Sequence, residues 1–356
     1  MGKTKKRNFV VILIIALFVG GWVGLLQNTL SAETLVVCSW GGAYSDAQRA
    51  ALFKPFEEKT GIKIIDVAPT STAKIKAMVT TGNIEWDVAD VSAAYVILLQ
   101  KQGLLEKIDY SGFDKKLFDE AVEGTFIPYA VGHSFYSTIM AYRTDVFSKE
   151  RPRNWKDFWD VKRFPGPRCL MNGTFSGSLE FALMADGVPI DKLYPLDIAR
   201  AYKKLTEIKP HVVKWWDAGA IPAQLLTDKE VVLTNSWHGR ILKILEEGAP
   251  VAIEWNQGGL NSMYWGIPKG TKNYKNALKF IEFSIQAENQ ARWVNYYRGG
   301  IGPINKRAFS LIKPEILKNT PTAPENLKMQ FLCNSEWWGE NLERTTEYWH
   351  KWTVQK

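Results

Sequence analysis

The chain has few cysteines and few histidines, which excludes several kinds of site. Its 356 residues include three cysteines and four histidines. C-x-x-C pairs and cysteine-to-histidine zinc spacings are absent, so we expect no structural metal. Three cysteines are too few for a disulfide scaffold. Cys169 and Cys333 could pair, in which case Cys38, within an apolar run, would remain a free thiol.

Catalytic motifs are also absent. The sequence contains no G-x-S-x-G, H-E-x-x-H, Walker or G-x-G-x-x-G pattern. His133 and His238 lie near strand ends, where ligands of open sheets bind. A single histidine there is more typical of a hydrogen-bonding wall residue than of a general base. We therefore predict a protein without catalytic residues or cofactor.

The positive charge of the chain is concentrated at its beginning. The formal net charge is +8, and the first eight residues, M-G-K-T-K-K-R-N, contribute four positive charges and no acid. Without them the net charge is +4, and no basic run follows. Nucleic-acid binders concentrate lysine and arginine on one face, so this class is excluded.

The first 32 residues have the pattern of a secretory signal. A basic start is followed by the apolar run 9–26 and by small residues at Ser31 and Ala32. We predict cleavage before Glu33 and export to the periplasm. The apolar run nearly reaches the roughly 20 residues that span a bilayer, so an uncleaved membrane anchor is the alternative.

After residue 33, apolar strand runs alternate with helical patterns. The first set has strands at 34–40, 62–68 and 86–91, with helices opened by Ser45 and Gln48, by Ser71 or Thr72, and at 93–102. This order predicts a parallel sheet covered by helices. About 320 residues exceed what one hydrophobic core usually serves, so we expect two lobes.

A second set of strands and helices begins near residue 168. Strands are expected at 168–172, 211–216, 230–235 and 251–255, and helices at 179–185, 197–208 and 241–247. The β-rich stretch 134–142 and the glycine-rich loop 256–270 are predicted to cross between the lobes. The tail 336–352 reads as a tryptophan-rich helix whose aromatic stripe is typical of packing.

Ligands of open parallel sheets bind beyond the carboxyl ends of the strands. Here those ends share one composition, in which Trp, Tyr or Phe stands beside Ser, Thr, Asn and Gly. The segments are 39–45, 69–72, 92–95, 172–178, 216–220 and 235–240, with 261–264 in the crossing loop. Aromatic walls with a few polar groups suit a small polar or cationic solute.

Several motifs resemble one family over nearly the whole predicted mature chain. They are V-V-C-S-W-G-G-A-Y (36–44), F-E-E-K-T-G-I-K-I (56–64), W-D-V-A-D-V-S (86–92), K-Q-G-L-L-E-K-I-D (101–109), P-R-N-W-K-D-F-W-D (152–160), N-S-W-H-G-R (235–240), Y-W-G-I-P-K-G (264–270), G-P-I-N-K-R-A (302–308) and W-x-x-W (349–352). The chain resembles bacterial ABC-transporter solute-binding proteins of the spermidine/putrescine-binding type.

The resemblance implies an α/β, two-lobed type II periplasmic-binding-protein fold. Each lobe would be a mainly parallel sheet flanked by helices, with the ligand cleft between them. The lobes would comprise 33–135 with 260–325, and 136–259, with the helices of 326–356 packing on one lobe. A monomer that delivers one solute to an inner-membrane ABC permease, without catalysis, is implied. Presentation of the solute to a membrane receptor is an alternative.

The resemblance also transfers binding residues. It places the first-lobe aromatic wall at Trp40 and Tyr44, a polar contact at Ser92 with Tyr95 close by, and the second-lobe tryptophan at Trp237. The neighbouring strand-end residues complete the predicted ligand site, namely Ser39, Gly41, Phe175, Ser176, Arg240, Asn261 and Tyr264.

The sequence departs from polyamine-binding members at the positions of their carboxylates. Those positions fall on 174–177 and 261–263, which contain no acid. Glu180 and Asp217 remain as possible acids. A cleft with aromatic side chains and Arg240 but few acids favours an amino-acid-like or other amine-containing solute, because the rings face the ammonium and arginine faces the acid group. An ion pair between the lobes is the alternative role for Arg240.

Two other solutes remain as alternatives. One is a polyamine, spermidine or putrescine, as the family name implies. The other is Fe(III), because Tyr296 and Tyr297 form an adjacent tyrosine pair, although the surrounding helical pattern would bury one of them.

Overall fold

In a computed structural model, Gly2 and residues 33–354 are described. The strands are β1 (Thr34–Cys38), β2 (Lys63–Val67), β3 (Val88–Ser92), β4 (Phe126–Ile127), β5 (Ala130–Arg143), β6 (Arg168–Met171), β7 (Val212–Trp216), β8 (Leu233–Trp237), β9 (Val251–Gly266) and β10 (Phe331–Leu332). The helices are α1 (Gly42–Gln48), α2 (Lys54–Thr60), α3 (Thr72–Thr81), α4 (Ala93–Lys101), α5 (Lys116–Glu120), α6 (Trp155–Trp159), α7 (Ser178–Ala185), α8 (Ile198–Ile208), α9 (Ile221–Thr227), α10 (His238–Glu246), α11 (Tyr274–Ser284), α12 (Ala287–Tyr296), α13 (Pro314–Leu317), α14 (Pro324–Leu327) and α15 (Ser335–Thr353).

The described residues form a mixed sheet with helices on both faces. Its order is β2-β1-β3-β9-β5-β8-β6-β7. The outer strands pair in parallel, β1 with β2 and β3, and β6 with β7 and β8. The two long strands in the middle, β5 and β9, are antiparallel to each other, and they are also antiparallel to β8 and β3. The α/β class and the parallel pairings expected from the strand-helix alternation are confirmed.

The start of the first helix differs from its prediction. Helix α1 begins at Gly42, three residues before the predicted cap Ser45. The Ser45 hydroxyl accepts a hydrogen bond from the amide of Gly41 at 2.9 Å, and Gln48 is turned inward to bond the side chains of Ser39 and Asp90. The chain stays helical from α1 through a π-helical stretch, Arg49–Phe53, into α2. This helical segment ends as expected, because Gly61 takes the left-handed conformation after α2. Ser71 caps α3, as predicted.

The glycine-rich stretch 256–270 was predicted as a loop, and this was wrong. Residues 251–266 form one continuous strand, β9, paired with β5 along most of its length. Gly258 and Gly259 serve close packing rather than a turn, since Cβ atoms there would lie 3.1 Å from Ile139 Cγ2 and 3.0 Å from Phe331 Cζ. The β character predicted for 134–142 is confirmed, since this stretch is part of β5.

Separate apolar clusters lie along the two halves of the sheet. One set is built on β1, β3 and helices α11 and α12, with Trp265 and Trp293 fully buried. The other is built on β6, β8, α7 and α8, with Trp155 and Trp216 fully buried. This arrangement suits two lobes joined by β5 and β9. The residue bounds of those lobes stay a prediction.

Helix α15 confirms the predicted helical tail and contacts helices that belong to both halves of the sheet. Trp338 donates to Glu180 of α7 at 2.7 Å, and the carbonyl of Thr345 accepts from Tyr202 of α8 at 3.2 Å. In the other half, Gly339 packs directly on α4 beside Ile97. The tail therefore packs on both halves rather than on one lobe.

The three cysteines are buried free thiols, so Cys169 and Cys333 do not form a disulfide. Burial raises the pKa of the Cys38 thiol to about 11 and that of Cys169 to about 12. The predicted signal peptide lies outside the described residues. Within the described part of the chain, every helix is too short or too polar to cross a membrane.

Substitution of Gly339 tests the packing of α15 on α4. A Cβ at this position would lie 2.5 Å from Ile97 Cγ2 and 3.2 Å from the carbonyl oxygen of Ala94. We expect Gly339→Ala to lower the free energy of unfolding by about 1–3 kcal/mol, as overpacked sites do. Chemical denaturation measures this. His350→Ala, at an exposed position of the same helix, should change it by less than about 0.5 kcal/mol. Stabilisation by Gly339→Ala, the usual effect at an uncrowded helical site, would contradict this packing.

Candidate functional site

A cavity of about 230 Å³ lies where the strand ends of the two halves of the sheet meet. Eight of the predicted ligand residues line it: Trp40, Tyr44, Ser92, Tyr95, Phe175, Ser176, Trp237 and Arg240. Helices α4, α7 and α10 begin at or beside the lining segments. The amino ends of helices favour anionic groups, because their first amides are unpaired.

A buried carboxylate fixes the wall supplied by the first half. Asp90 of β3 is fully buried and accepts hydrogen bonds from Trp40 Nε1 at 3.3 Å and Tyr44 Oη at 2.9 Å. It also accepts from Gln48 Nε2 at 2.9 Å and His133 Nε2 at 3.1 Å. Burial, followed by the charge of Asp90, raises the pKa of Tyr44 well above its usual value, so the phenol stays a donor. Asp90 therefore orients two aromatic walls instead of facing the cavity.

The opposite wall is built at the end of β8 and the start of α10. Trp237 ends the strand, and its ring contacts those of Trp216, Tyr136 and Trp40 at centroid distances of 5.4, 6.3 and 6.4 Å. Arg240 follows within the first turn of α10. Its Nη2 donates to the carbonyl oxygen of Gly41 at 3.1 Å. This bond joins the loop after β1 to the start of α10.

Two polar groups of the wall lack hydrogen-bond partners, and a third lacks a counter-ion. Ser92 Oγ and Trp237 Nε1 are buried without a hydrogen bond. Arg240 forms no ion pair with a carboxylate among the described residues. Indole and guanidinium groups only donate hydrogen bonds. Trp237 Nε1 therefore lacks an acceptor, and Arg240 has donors left for an acceptor that a ligand in the cavity can supply.

The cavity has no acidic lining. Among its lining residues, all of them described, Arg240 is the one with a formal charge at neutral pH and none is Asp or Glu. Glu180 is fully buried, and its Oε1 accepts hydrogen bonds from Tyr194 at 2.5 Å and Trp338 at 2.7 Å. Burial raises its pKa. Asp217 is exposed. Neither acid reaches the cavity wall, so the two candidate acids of the sequence are not part of it.

Four predicted site residues do not line the cavity. Ser39 is fully buried behind the wall, where its hydroxyl donates to Gln48 at 2.5 Å. Gly41 contributes its carbonyl to Arg240 instead. Asn261 and Tyr264 lie in β9, where they donate to backbone carbonyls of Gly259 and Gly124. Because this segment is a strand and not a loop, the neighbouring Met263 is the residue that reaches the cavity.

Several lining residues lie outside the predicted site set. Tyr136 is in the middle of β5, Tyr297 follows α12, and Leu342 and Thr346 belong to α15. Tyr136 stood in the stretch predicted to cross between the lobes, and Tyr297 was considered only as a ligand of Fe(III). No strand-end signal accompanied them, so only the fold brings them together.

His238 is a neutral wall residue. It is fully buried, and its Nδ1 lies 3.2 Å from the amide of Ser137 and its Nε2 3.1 Å from the carbonyl oxygen of Gly299. Nδ1 accepts the amide proton and Nε2 donates. Burial lowers the pKa of His238 to about 4. This histidine joins β5, α10 and the segment after α12.

The tyrosine pair does not form a metal site. Tyr296 is exposed, at 58 %, whereas Tyr297 lines the cavity and contacts the ring of Tyr44 at 5.9 Å. The two phenols therefore face different surroundings. Within the described residues, no group of three or more His, Cys, Asp and Glu side chains could hold a metal ion.

Comparison with known proteins identifies the family. Residues 51–325 match the family model of the bacterial extracellular solute-binding proteins. The chain belongs to this family.

Individual relatives of this solute-binding protein support the same family assignment. It is 36 % identical to the gamma-aminobutyric acid-binding protein of Pseudomonas aeruginosa, over 89 % of this chain and 91 % of that protein. An ABC-transporter substrate-binding protein from Bradyrhizobium japonicum USDA 110 superposes with a TM-score of 0.85 at 40 % identity, covering 91 % of this chain and all of that one. The periplasmic binding protein AgtB of Agrobacterium tumefaciens R10 was solved in complex with agropinic acid. It superposes with a TM-score of 0.83 at 34 % identity, covering 91 % of this chain and 99 % of that one. The two-lobed type II fold expected from the sequence is confirmed.

The depressed pKa of His238 predicts a pH dependence of stability. Between the ordinary histidine pKa of 6.5 and the folded value of about 4, the unfolded chain binds a proton that the folded protein does not. The free energy of unfolding should therefore fall as pH decreases through this range, by up to about 3 kcal/mol from this group.

Denaturation at pH 7 and pH 4.5 measures that effect. His238→Gln keeps a donor for Gly299 but does not titrate, so its stability should fall less between the two pH values than that of the wild type. Equal falls in both proteins would show that His238 is not the group responsible.

Proposed function

We propose that this solute-binding protein captures a small solute with an anionic group at one end and an ammonium group at the other. The observation that carries the proposal is Arg240, a cavity-wall cation with no carboxylate partner among the described residues. A guanidinium binds carboxylate and phosphonate oxygens bidentately. A carboxylic or phosphonic amino acid supplies such a group.

The anionic end of the solute would lie at the start of α10. The ring of Trp237, which lines the same cavity, stands next to Arg240, since both lie against Gly219. The amino end of a nine-residue helix adds favourable electrostatics. Ser92 Oγ, which is unpartnered, lies at the start of α4 and can accept or donate.

The ammonium end would rest on aromatic rings. Trp40, Tyr95 and Tyr136 line the same cavity, and ring faces attract cations, most strongly when water is excluded. Rings hold a single ammonium group without a carboxylate, provided that the rest of the solute neutralises it. An internally neutral zwitterion meets this condition.

The polyamine alternative fits the cavity less well. A diamine would place a second positive charge near Arg240, in a wall without acids. Desolvating an unpaired cation is costly, and a neighbouring cation adds repulsion. Asp90, the carboxylate behind the first wall, already accepts four hydrogen bonds from protein groups.

Two relatives that are 34 % or more identical to this chain support the same class of solute, whereas relatives named for spermidine and putrescine are 26 % identical. One is named for gamma-aminobutyric acid and another was solved with agropinic acid, and both of these solutes are acids. The cavity, of about 230 Å³, is below the roughly 300–1,000 Å³ of sites for drug-sized ligands. A compact amino acid suits it.

The family also supports a cellular role. We infer export by the signal at 1–32, a periplasmic location, and delivery of the solute by the monomer to an ABC permease of the inner membrane. The lobes 33–135 with 260–325, and 136–259, would close around the solute by bending within β5 and β9. Binding without turnover is expected, since the relatives are transport proteins.

A thermal-shift screen of residues 33–356 tests the solute class. The probes are γ-amino acids, basic amino acids, aminophosphonates, opines, sugars and polyamines. A solute at one hundred times its dissociation constant should add about 2.7 kcal/mol of stability. We expect zwitterionic probes to give the shift. Stabilisation by diamines alone would refute the proposal.

Substitution of Arg240 tests the contact itself, with the strongest zwitterion from the screen as the probe. Arg240→Gln should weaken binding roughly 10- to 100-fold, the range of a hydrogen bond to a charged group, and Arg240→Lys should weaken it less. Isothermal titration calorimetry gives the constants. Arg298→Gln removes an exposed arginine that pairs with Glu246 outside the cavity, so it controls for the change in net charge. Unchanged affinity of Arg240→Gln would exclude the contact.

A further inference from the structure

Gly219 lies against the ring of Trp237. It belongs to the turn between β7 and α9, is buried, and is not a lining residue. A Cβ atom at position 219 would lie 2.4 Å from Cζ3 and 2.5 Å from Cε3 of Trp237, and 3.3 Å from Nε of Arg240. Carbon atoms do not approach this closely without overlap. Any side chain at 219 must therefore displace the tryptophan ring.

The other sides of the ring are already occupied. The rings of Trp216, Tyr136 and Trp40 surround Trp237, with the nearest centroid at 5.4 Å. The empty space beside the ring is the cavity that it lines. A displaced ring would consequently move into the volume available to the solute, and the added Cβ would crowd Nε of Arg240.

Glycine is required at position 219 because a side chain would have no room there, and not because of the backbone conformation. Gly219 does not have a left-handed φ, unlike Gly41, Gly42 and Gly177 near the same cavity. Alanine would adopt this backbone conformation without strain. At such positions, replacing glycine by alanine ordinarily stabilises a protein by restricting the unfolded chain.

We propose that the missing side chain at position 219 positions Trp237 and Arg240, and thereby determines the length of solute that the cavity accepts. This inference rests on the proposed function and assigns Gly219 as a specificity-determining residue that does not touch the solute. A larger residue at 219 shortens the cavity from behind its tryptophan wall.

The stability of Gly219 variants tests the steric part without any ligand. Gly219→Ala should lower the melting temperature of the wild type, because the ring of Trp237 is displaced. In a Trp237→Phe background, where the Cζ3 and Cε3 atoms of the indole are gone, the same substitution should leave the melting temperature unchanged or raise it. Gly112→Ala, at a site with no heavy atom within 4 Å and no left-handed φ, should be neutral in both backgrounds. An equal effect of Gly219→Ala in both backgrounds would refute the contact.

Binding of a homologous series tests the specificity part. The probes are β-alanine, 4-aminobutyrate and 5-aminovalerate, measured by calorimetry. Gly219→Ala should weaken the longest acid at least tenfold more than the shortest, and Trp237→Phe should restore the ratio. A uniform loss of affinity, or an unchanged ratio, would overturn the assignment. If the wild type binds none of the three, the length selection fails, whereas the thermal-shift screen decides the proposed solute class separately. The stability comparison still decides whether Gly219 positions Trp237.

Discussion

The guanidinium of Arg240 is the group on which the candidate site depends. It reaches across the cavity to the carbonyl oxygen of Gly41, 199 residues away in the chain, at 3.1 Å. It can do so because Gly42 and Gly219 have no side chains: Cβ atoms there would lie 3.1 Å and 3.3 Å from its nitrogens. A buried or half-buried cation without a carboxylate is stabilised by whatever acceptor it meets. In this family member, that acceptor would be the solute.

The two walls of the cavity use charge in opposite ways. The first half contains a carboxylate, Asp90, but four protein donors occupy its oxygens, so it acts on the site only by holding Trp40 and Tyr44. The second half contains a cation whose hydrogen-bonding capacity remains largely free. The result is a cavity with a neutral aromatic side and a positive side, although an acid lies directly behind its wall. Counting charges near the site in sequence would not have distinguished these roles.

Much of the fold followed from apolar runs and strand-helix alternation, because buried parallel strands read as continuous hydrophobic segments. The strand ends correctly indicated Trp40, Ser92, Trp237 and Arg240 as cavity residues. The prediction was wrong for the segment of Asn261, since glycines that serve close strand packing have the same sequence signature as glycines of a loop. Tyr136 and Leu342 could not be predicted, because each lies inside a regular element and reaches the cavity only through long-range packing. Tyr297 directly follows α12 and likewise reaches the cavity only through the fold. Whether these residues bind the solute stays a prediction.

If the cavity selects its solute by the anionic end, its affinity for a series of four-carbon amines must follow the charge of their other end. The compounds 4-aminobutyrate, 4-aminobutanamide and 1,4-diaminobutane share a chain and an ammonium group, and their other ends are negative, neutral and positive. Calorimetric titration of residues 33–356 should give the tightest binding for the acid and weaker binding for the amide. Binding of the diamine should be weakest or undetectable. Equal or tighter binding of the diamine would contradict the account.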